Sequence, residues 1–306
     1  MAHIYQLNCR KTEAATIMTV GRNPDSIYLL QEIYYDKRGK PGVRTKSHFY
    51  GKSKSRAGIY LSSLTSCTFV PLHQFIDTDI AAGTVEGGSV TKSTVVASVY
   101  FHDNPLGKEQ PTVLPKFREL VEFCEEKGLP LISGIDCNAH SALWGSPDTN
   151  KRGEDLEEFI FQNGLYVQNV GSTPTWVSRG LSSIINITAT SGVRNRISNW
   201  HVTPEHTFSD HKLLSFTLDE PQGGKILTRN YARANWSTFA SIIEADLEEP
   251  PSLWSTDIIE SASLMLTQLI QRAFNAACPE HLAKKRDKIF WWNLECQNAK
   301  THYIQL

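Results

Sequence analysis

The sequence predicts an α/β or α+β domain followed by a helical extension. Three observations carry that prediction. Residues 1 to about 220 alternate short apolar runs with stretches of helical periodicity, whereas residues from about 226 onward show helical periodicity alone. Between them, Asp219-Glu220-Pro221-Gln222-Gly223-Gly224 sets a proline and two glycines directly after an alternating run, as when a last strand passes into a linker. The predicted domains are therefore 1–220 and 221–306.

Seven segments of the first domain read as strands: Ile4 to Leu7, Ile27 to Leu30, Ala57 to Leu61, Thr94 to Tyr100, Leu129 to Ile135, Ile184 to Ile187 and Leu213 to Leu218, many of them rich in Val, Ile and Leu. Helical patterns separate them. Thr12 is placed to cap a segment carrying Ala15, Ile17 and Met18, and Leu114, Phe117, Leu120, Val121 and Cys124 share one face that ends at Gly128. A third pattern runs through Leu156, Phe159 and Ile160 and stops at Asn163-Gly164. Beyond the linker, Ile258, Ile259, Ala262, Met265, Leu266, Leu269, Ile270 and Ala273 recur at helical spacing after the cap cluster Ser255-Thr256-Asp257. That is one long amphipathic helix whose apolar stripe needs a partner surface.

Composition sets wider bounds. A chain of 306 residues with 40% apolar and 21% charged content is globular, which excludes disorder and fibrous repeats. No run approaches the roughly 18 apolar residues that span a bilayer, and MAHIYQLNCR lacks a signal-peptide core, so a soluble intracellular protein without a membrane partner is expected. The 31 basic and 32 acidic residues nearly cancel, leaving only local clusters to point to a partner. Cys9, Cys67, Cys124, Cys137, Cys278 and Cys296 form no CxxC pair, which fits reduced thiols. The Cys137/His140 spacing has no second pair to complete a zinc site.

The chain has no GxxxxGK[ST] phosphate loop, GxGxxG, GxSxG or HExxH. Its notable polar residues sit where strands end: Asn8 after Ile4 to Leu7, Glu32 after Ile27 to Gln31, Asp136 and Asn138 after Leu129 to Ile135, and Asp210-His211 before the last strand. Singly, such residues are ordinary turn formers. Together on one sheet rim they suit metal-assisted phosphate chemistry, since Mg²⁺ takes hard oxygen ligands and lets substrate phosphate complete its shell.

In order, Asn8, Gln31-Glu32, Tyr100, Gly134-Ile135-Asp136-Cys137-Asn138-Ala139-His140 and Ser209-Asp210-His211 resemble the motifs of endonuclease/exonuclease/phosphatase domains, over residues 4 to about 218. Leu143-Trp144-Gly145-Ser146, Arg152-Gly153, Gly164-Leu165, Pro174-Thr175-Trp176 and the tail Trp291-Trp292-Asn293 are similar to the endonuclease of non-LTR (LINE-type) retrotransposons and the segment joining it to reverse transcriptase. The resemblance implies a two-sheet β-sandwich flanked by helices, with the C-terminal helices leading toward a reverse transcriptase. It also implies Mg²⁺ held by Glu32 with Asn8 nearby and Asp210 beside it, water activated by Asp136, and phosphate contacted by Asn138, His211 and Tyr100. A packed strand aromatic is the alternative for Tyr100.

One position departs from the family. Relatives carry aspartate where this chain has Asn186, in Ser182-Ser183-Ile184-Ile185-Asn186-Ile187-Thr188, and that aspartate pairs with the equivalent of His211. An amide removes the charge, so the pKa of His211 should fall and cleavage should be impaired. Lys37, Arg38, Lys40, Arg44, Lys46, Lys52, Lys54 and Arg56, with no acid among them and Tyr34, Tyr35, Phe49 and Tyr50 close by, read as a phosphate grip. Arg179, Arg194 and Arg196 flank the Asn186 strand and are further DNA candidates. Lys284, Lys285, Arg286 and Lys288 form a second cluster.

The implied activity is Mg²⁺-dependent nicking of double-stranded DNA in the nucleus, leaving a 3′-hydroxyl that primes reverse transcription of element RNA. The alternatives are a phosphoesterase acting on lipid or nucleotide phosphates and a DNA-binding module whose catalysis has lapsed.

Overall fold

The computed structural model describes residues 2–21, 26–42, 47–62, 65–87, 90–102, 112–193, 196–219, 227–228, 234–247, 256–279 and 281–282. The chain divides into two compact units, residues 1–222 and 223–306. In the first, β1 (Ala2–Asn8) leads through α1 (Glu13–Gly21) to β2 (Ser26–Gln31), β3 (Ser47–Tyr50), β4 (Ala57–Ser62), β5 (Thr68–Pro71), β6 (Ile80–Gly87) and β7 (Val90–Tyr100). Then come α2 (Pro115–Lys127), β8 (Leu131–Asp136), α3 (Lys151–Gln162), β9 (Tyr166–Val167), β10 (Trp176–Ser178), β11 (Leu181–Ser183), β12 (Asn186–Ser191), β13 (Ile197–Val202) and β14 (Leu214–Leu218).

Two mixed six-stranded sheets result, ordered β13-β14-β1-β2-β4-β3 and β5-β6-β7-β8-β12-β9. Their inner faces meet through Ile4, Ile27, Leu29, Ile59, Val85, Val96, Ile132 and Phe216. The outer face of the second sheet packs under α2 and α3 through Val95, Val99, Phe117, Leu120, Leu156 and Phe159, and that of the first under α1 through Leu7, Ala15, Val20, Tyr28 and Leu30. This helix-covered α/β sandwich is the expected class. It also explains why β2 is buried at every position: one face meets the other sheet and the opposite face meets α1. The two parallel pairs, β1 with β2 and β7 with β8, each have a helix between their strands, as parallel crossovers require.

Local chemistry moved several predicted boundaries. The strand expected over 184–187 begins at Asn186, because the carbonyl of Ile184 accepts from Trp144 Nε1 and Ser146 Oγ at 3.1 Å each rather than from a strand. The strand expected from Leu129 begins at Leu131, since the Leu129 amide closes α2 on the Cys124 carbonyl. The Thr12 hydroxyl does not cap α1; it donates to the carbonyls of Cys9 and Phe208. The short or edge strands β3, β5, β9, β10, β11 and β13 were not anticipated, their length being two to four residues in most cases, and neither was the interior strand β6, whose sequence IAAGTVEG alternates weakly.

In the second unit β15 (Leu227–Thr228) pairs with β16 (His281–Leu282), and α4 (Trp236–Asp246) packs against α5 (Thr256–Ala277), the long helix expected. Trp236 meets Phe274 with ring centroids 6.4 Å apart, and Leu269, Ala273 and Ala277 are buried while Ile259, Met265 and Ile270 are exposed. Ser255, the basic cluster at 284–288 and Trp291-Trp292-Asn293 lie outside the described residues. Among the described residues no helix is long and apolar enough to cross a membrane.

Candidate active site

Strand register builds the site. Asn8 and Gln31, the last residues of β1 and β2, stand opposite each other, with Glu32 following directly. In the other sheet, Asp136 at the end of β8 faces Tyr100 on one side and Asn186 on the other. Five strand ends therefore share one rim of the sandwich. The two sheets are joined there by a buried hydrogen bond from Asn8 Nδ2 to Asp136 Oδ2, at 2.6 Å. Behind it, Gln6 Nε2 donates to Ile135 O, Gln31 Nε2 donates to Ser98 Oγ and Gly134 O, and Ser98 Oγ donates to Leu30 O, a polar seam that sets the spacing of the sheets at this end.

The Ser209-Asp210-His211 segment reaches the same place. Ser209 Oγ donates to the Asn8 carbonyl at 2.8 Å, and His211 Nδ1 lies 2.8 Å from Asn186 Oδ1. Because the amide oxygen accepts, the proton of a neutral imidazole sits on Nδ1, and Nε2 presents a lone pair at the rim. Burial depresses the His211 pKa below the ordinary histidine value, with Asp210 opposing and Arg10 reinforcing the shift. The direction is the one expected from the missing carboxylate at 186. Among the described residues Asn186 Nδ2 is buried without a hydrogen-bond partner, the mark of a position shaped for a group that does not donate there.

Asp136 is fully buried. Desolvation raises its pKa to about 7, aided by the charge of Glu32 and opposed by the Asn8 hydrogen bond. Among the described residues its Oδ1 accepts no hydrogen bond of normal geometry. Tyr100 is raised above the ordinary tyrosine value by burial and then by Glu32 and Asp136, so its hydroxyl stays protonated and can donate. Asn138 Nδ2 donates one hydrogen to Phe101 O at 2.9 Å, leaving the other. Glu32 and Asn138 both have left-handed backbones, φ +42° and +46°, where non-glycine residues are uncommon and concentrate at functional positions. Glu32 is held there by its amide on Arg56 O and its carbonyl under Lys11 N.

The neighbouring loops show why the other motifs have their form. Gly153, on α3, faces the carbonyl of His140, and a Cβ there would come within 1.8 Å of that oxygen. Asn150 caps the helix on Gly153 N and also receives His140 N, so α3 clamps the loop that carries Asn138. The buried Trp144 holds the chain just before Asn186.

The basic candidates separate. Arg38 is exposed on the turn after Glu32, and Lys54 lines a cavity of about 420 Å³ with Glu32, Tyr34, Tyr35 and Arg56. Lys52 is paired with Asp77 at 3.0 Å. Arg179, φ +50°, and Gly180, φ +81°, form the tip of the β10–β11 hairpin, whose base bonds the histidine segment through Val177 N to Asp210 O and Lys212 N to Thr175 O. Arg196 does not join the site. It follows β12 at the end of the sandwich where Ala2 and Leu218 pair, and its Nε donates to Asp219 O, so it fastens the far end. Arg44, Lys46 and Arg194 lie outside the described residues. Arg56, only one of a cluster in the sequence, donates to the Asp79 carboxylate through Nε and Nη2 at 2.5 and 2.6 Å and stacks 5.4 Å over the Tyr100 ring. Its role needed Asp79, whose partnership no local pattern signals.

Among the described residues no three His, Cys, Asp or Glu side chains form a metal cage. The donors present are oxygens: the free Asp136 Oδ1, Glu32 with its side chain 19% exposed, and Asp210 at 13%. That set fits a hard divalent cation held by one or two carboxylates and completed by substrate and water.

Residues 94–215 match the family described as endonuclease-reverse transcriptase. Among solved structures, the endonuclease domain of TRAS1, a telomere-specific non-LTR retrotransposon, is 22% identical with a TM-score of 0.60, covering 72% of this chain and 100% of that one. The AP endonuclease LMAP from Leishmania major is 11% identical with a TM-score of 0.56 over 72% of this chain and 88% of its own. The Xenopus laevis APE2 catalytic domain is 16% identical with a TM-score of 0.53 over 71% and 91%. At these identities the shared property is the fold. No curated protein matches the chain by sequence.

Proposed function

We propose that this chain, whose residues 94–215 match the endonuclease-reverse transcriptase family, is a retrotransposon-type endonuclease domain of the endonuclease/exonuclease/phosphatase superfamily: a Mg²⁺-dependent nuclease that nicks double-stranded DNA in the nucleus and leaves a 3′-hydroxyl. The observation that supports this reading best is the single rim shared by Asn8, Glu32, Tyr100, Asp136, Asn186 and His211, tied across the sheets by the Asn8–Asp136 bond. In the wider protein the nick primes reverse transcription of element RNA, and residues 221–306 link to the reverse transcriptase.

Glu32, with Asn8 and Asp210 close by, would hold the cation, which when bound neutralises phosphate charge and polarises the phosphorus. Asp136, with its pKa near neutrality, takes a proton from the attacking water. The new bond joins water oxygen to phosphorus; the bond to the 3′ oxygen breaks, that oxygen takes up a proton from solvent, and Asp136 returns its proton to solvent. Tyr100 and Asn138 donate to the phosphate oxygens as charge builds. His211 would do the same from Nε2 if it carried a proton there. With burial lowering its pKa and an amide rather than a carboxylate facing Nδ1, it is neutral at pH 7 and cannot. The chain is thus a nuclease of greatly reduced turnover.

Conversion of supercoiled to open-circle plasmid in Mg²⁺ tests this. Slow nicking by the chain, faster nicking by Asn186→Asp and none by Asp136→Ala is the expected series. The buried amide also favours a second reading, a DNA-targeting module that no longer cleaves. Salt-dependent DNA binding with no nicking by Asn186→Asp would select it.

A further inference from the structure

Resting on that nuclease reading, one feature of the rim belongs to neither the base nor the phosphate donors. Two consecutive cations of the loop after β1 each hold a carboxylate of the proposed metal site. Arg10 Nη1 is 3.2 Å from Asp210 Oδ2, and Lys11 Nζ is 3.5 Å from Glu32 Oε1. In both pairs the acid is sheltered and the cation wet: side-chain exposure is 13% for Asp210 against 58% for Arg10, and 19% for Glu32 against 65% for Lys11. Both cations have left-handed backbones, φ +49° and +54°. Two such residues in succession persist only where the surroundings impose them. Here Cys9 N bonds Gln31 O, Arg10 N bonds Asn8 Oδ1, Lys11 N bonds Glu32 O and the Thr12 hydroxyl bonds Phe208 O, so both sheet strands and the histidine segment pin the loop.

We infer that Arg10 and Lys11 are exchangeable counter-cations: in the DNA-free protein they neutralise Asp210 and Glu32, and when a divalent cation takes those carboxylates they turn to DNA phosphates. The fixed backbone and long exposed stems allow the heads to move while their roots stay. A divalent ion at Glu32 and Asp210 repels an ammonium and a guanidinium at contact distance, and the incoming phosphates are the nearest replacement partners. Lys11 already borders the cavity it would turn into, beside Tyr34, Lys54 and Arg56. The loop would then couple metal loading to DNA grip, so that neither ligand is bound at full strength alone.

The test uses Arg10→Gln and Lys11→Gln in the full chain, which keep most of each stem, with Lys212→Gln as a charge-matched control. Mn²⁺ binding to DNA-free protein is measured by calorimetry, and DNA affinity against salt is measured in EDTA and in Ca²⁺. Freed carboxylates should bind Mn²⁺ up to about fivefold more tightly in each variant, the scale of one exposed ion pair, with a smaller change in the control. In Ca²⁺ each variant should lose about 0.9 from the slope of log affinity against log salt, and in EDTA much less. Mn²⁺ affinity equal to that of the control, or the same slope loss with and without divalent cation, would overturn the exchange. No Mn²⁺ binding by the unsubstituted chain would overturn the nuclease reading with it.

Discussion

Asn186→Asp changes one atom type in a buried site and nothing in volume, so its consequence can be worked through from the contact it alters. The new carboxylate would face His211 Nδ1 across the present 2.8 Å contact. With the ring and carboxylate charge centres about 4 Å apart, the opposite charges attract by about 4 kcal/mol at an effective dielectric near 20, equivalent to roughly 3 pKa units in favour of the imidazolium. Against this stands the second carboxylate oxygen, which would replace an Nδ2 that now has no partner. A buried unsatisfied acceptor costs about 1–3 kcal/mol, and that cost falls mainly on folding, since it is present whether or not the histidine is charged. The expected result is a somewhat less stable protein whose histidine is largely protonated near neutrality and donates from Nε2 to phosphate. The converse change in a serine-protease triad costs about 10⁴ in turnover, so a gain of about 10²–10⁴ in single-turnover nicking is anticipated, with little change in DNA affinity. Histidine ring nitrogen shifts in NMR report the protonation directly. A histidine that becomes protonated while nicking rises less than tenfold would refute the argument that its charge is what the chain lacks.

Other outcomes follow from the same geometry. Asp136 binds its proton more tightly in the folded chain, about 7 against an ordinary 3.8, so between those values the native state holds more protons than the unfolded state and stability falls as pH rises. In EDTA, Asp136→Asn should remove this slope and gain up to roughly 4 kcal/mol at pH 8, read from denaturant melts, while abolishing nicking; a slope of opposite sign would show that the buried carboxyl is not the cause. Trp144→Ala should cost about 3–5 kcal/mol and slow nicking by Asn186→Asp as well, since Trp144 anchors the Ile184 carbonyl just ahead of position 186. Arg196→Met should lower the melting temperature and leave the salt slope of DNA binding unchanged, whereas Arg179→Ala should reduce that slope by about 0.9; equal effects on the slope would contradict the placement of Arg196 at the far end.

Much of this molecule can be read locally. A Val/Ile/Leu run marks a strand, Phe117, Leu120, Val121 and Cys124 mark a helix face closed at Gly128, and the ordered motifs from Asn8 to His211 mark the site, because each depends on residues a few positions apart or on a fixed type at a strand end. The less visible parts are those whose cause is distant in sequence. Ile184 leaves the strand because Trp144 and Ser146 claim its carbonyl, the short edge strands exist only beside a neighbour, and Gly153 is required by a backbone atom of His140.

Residue types and their periodicity marked on their own an α/β or α+β domain ahead of a helical extension, with oxygen-bearing side chains at its strand ends, and the resemblance carried by the ordered motifs implied the two-sheet sandwich. Only the tertiary structure decided which of them meet. Register across the sheets sets Asp136 between Tyr100 and Asn186 and against Asn8, moves Arg196 to the opposite end, and fastens Arg10 and Lys11 to carboxylates 200 and 21 positions further on. Periodicity reports a face and a length, whereas charge, burial and hydrogen bonding act through space, and their partners are fixed only when the strands have paired.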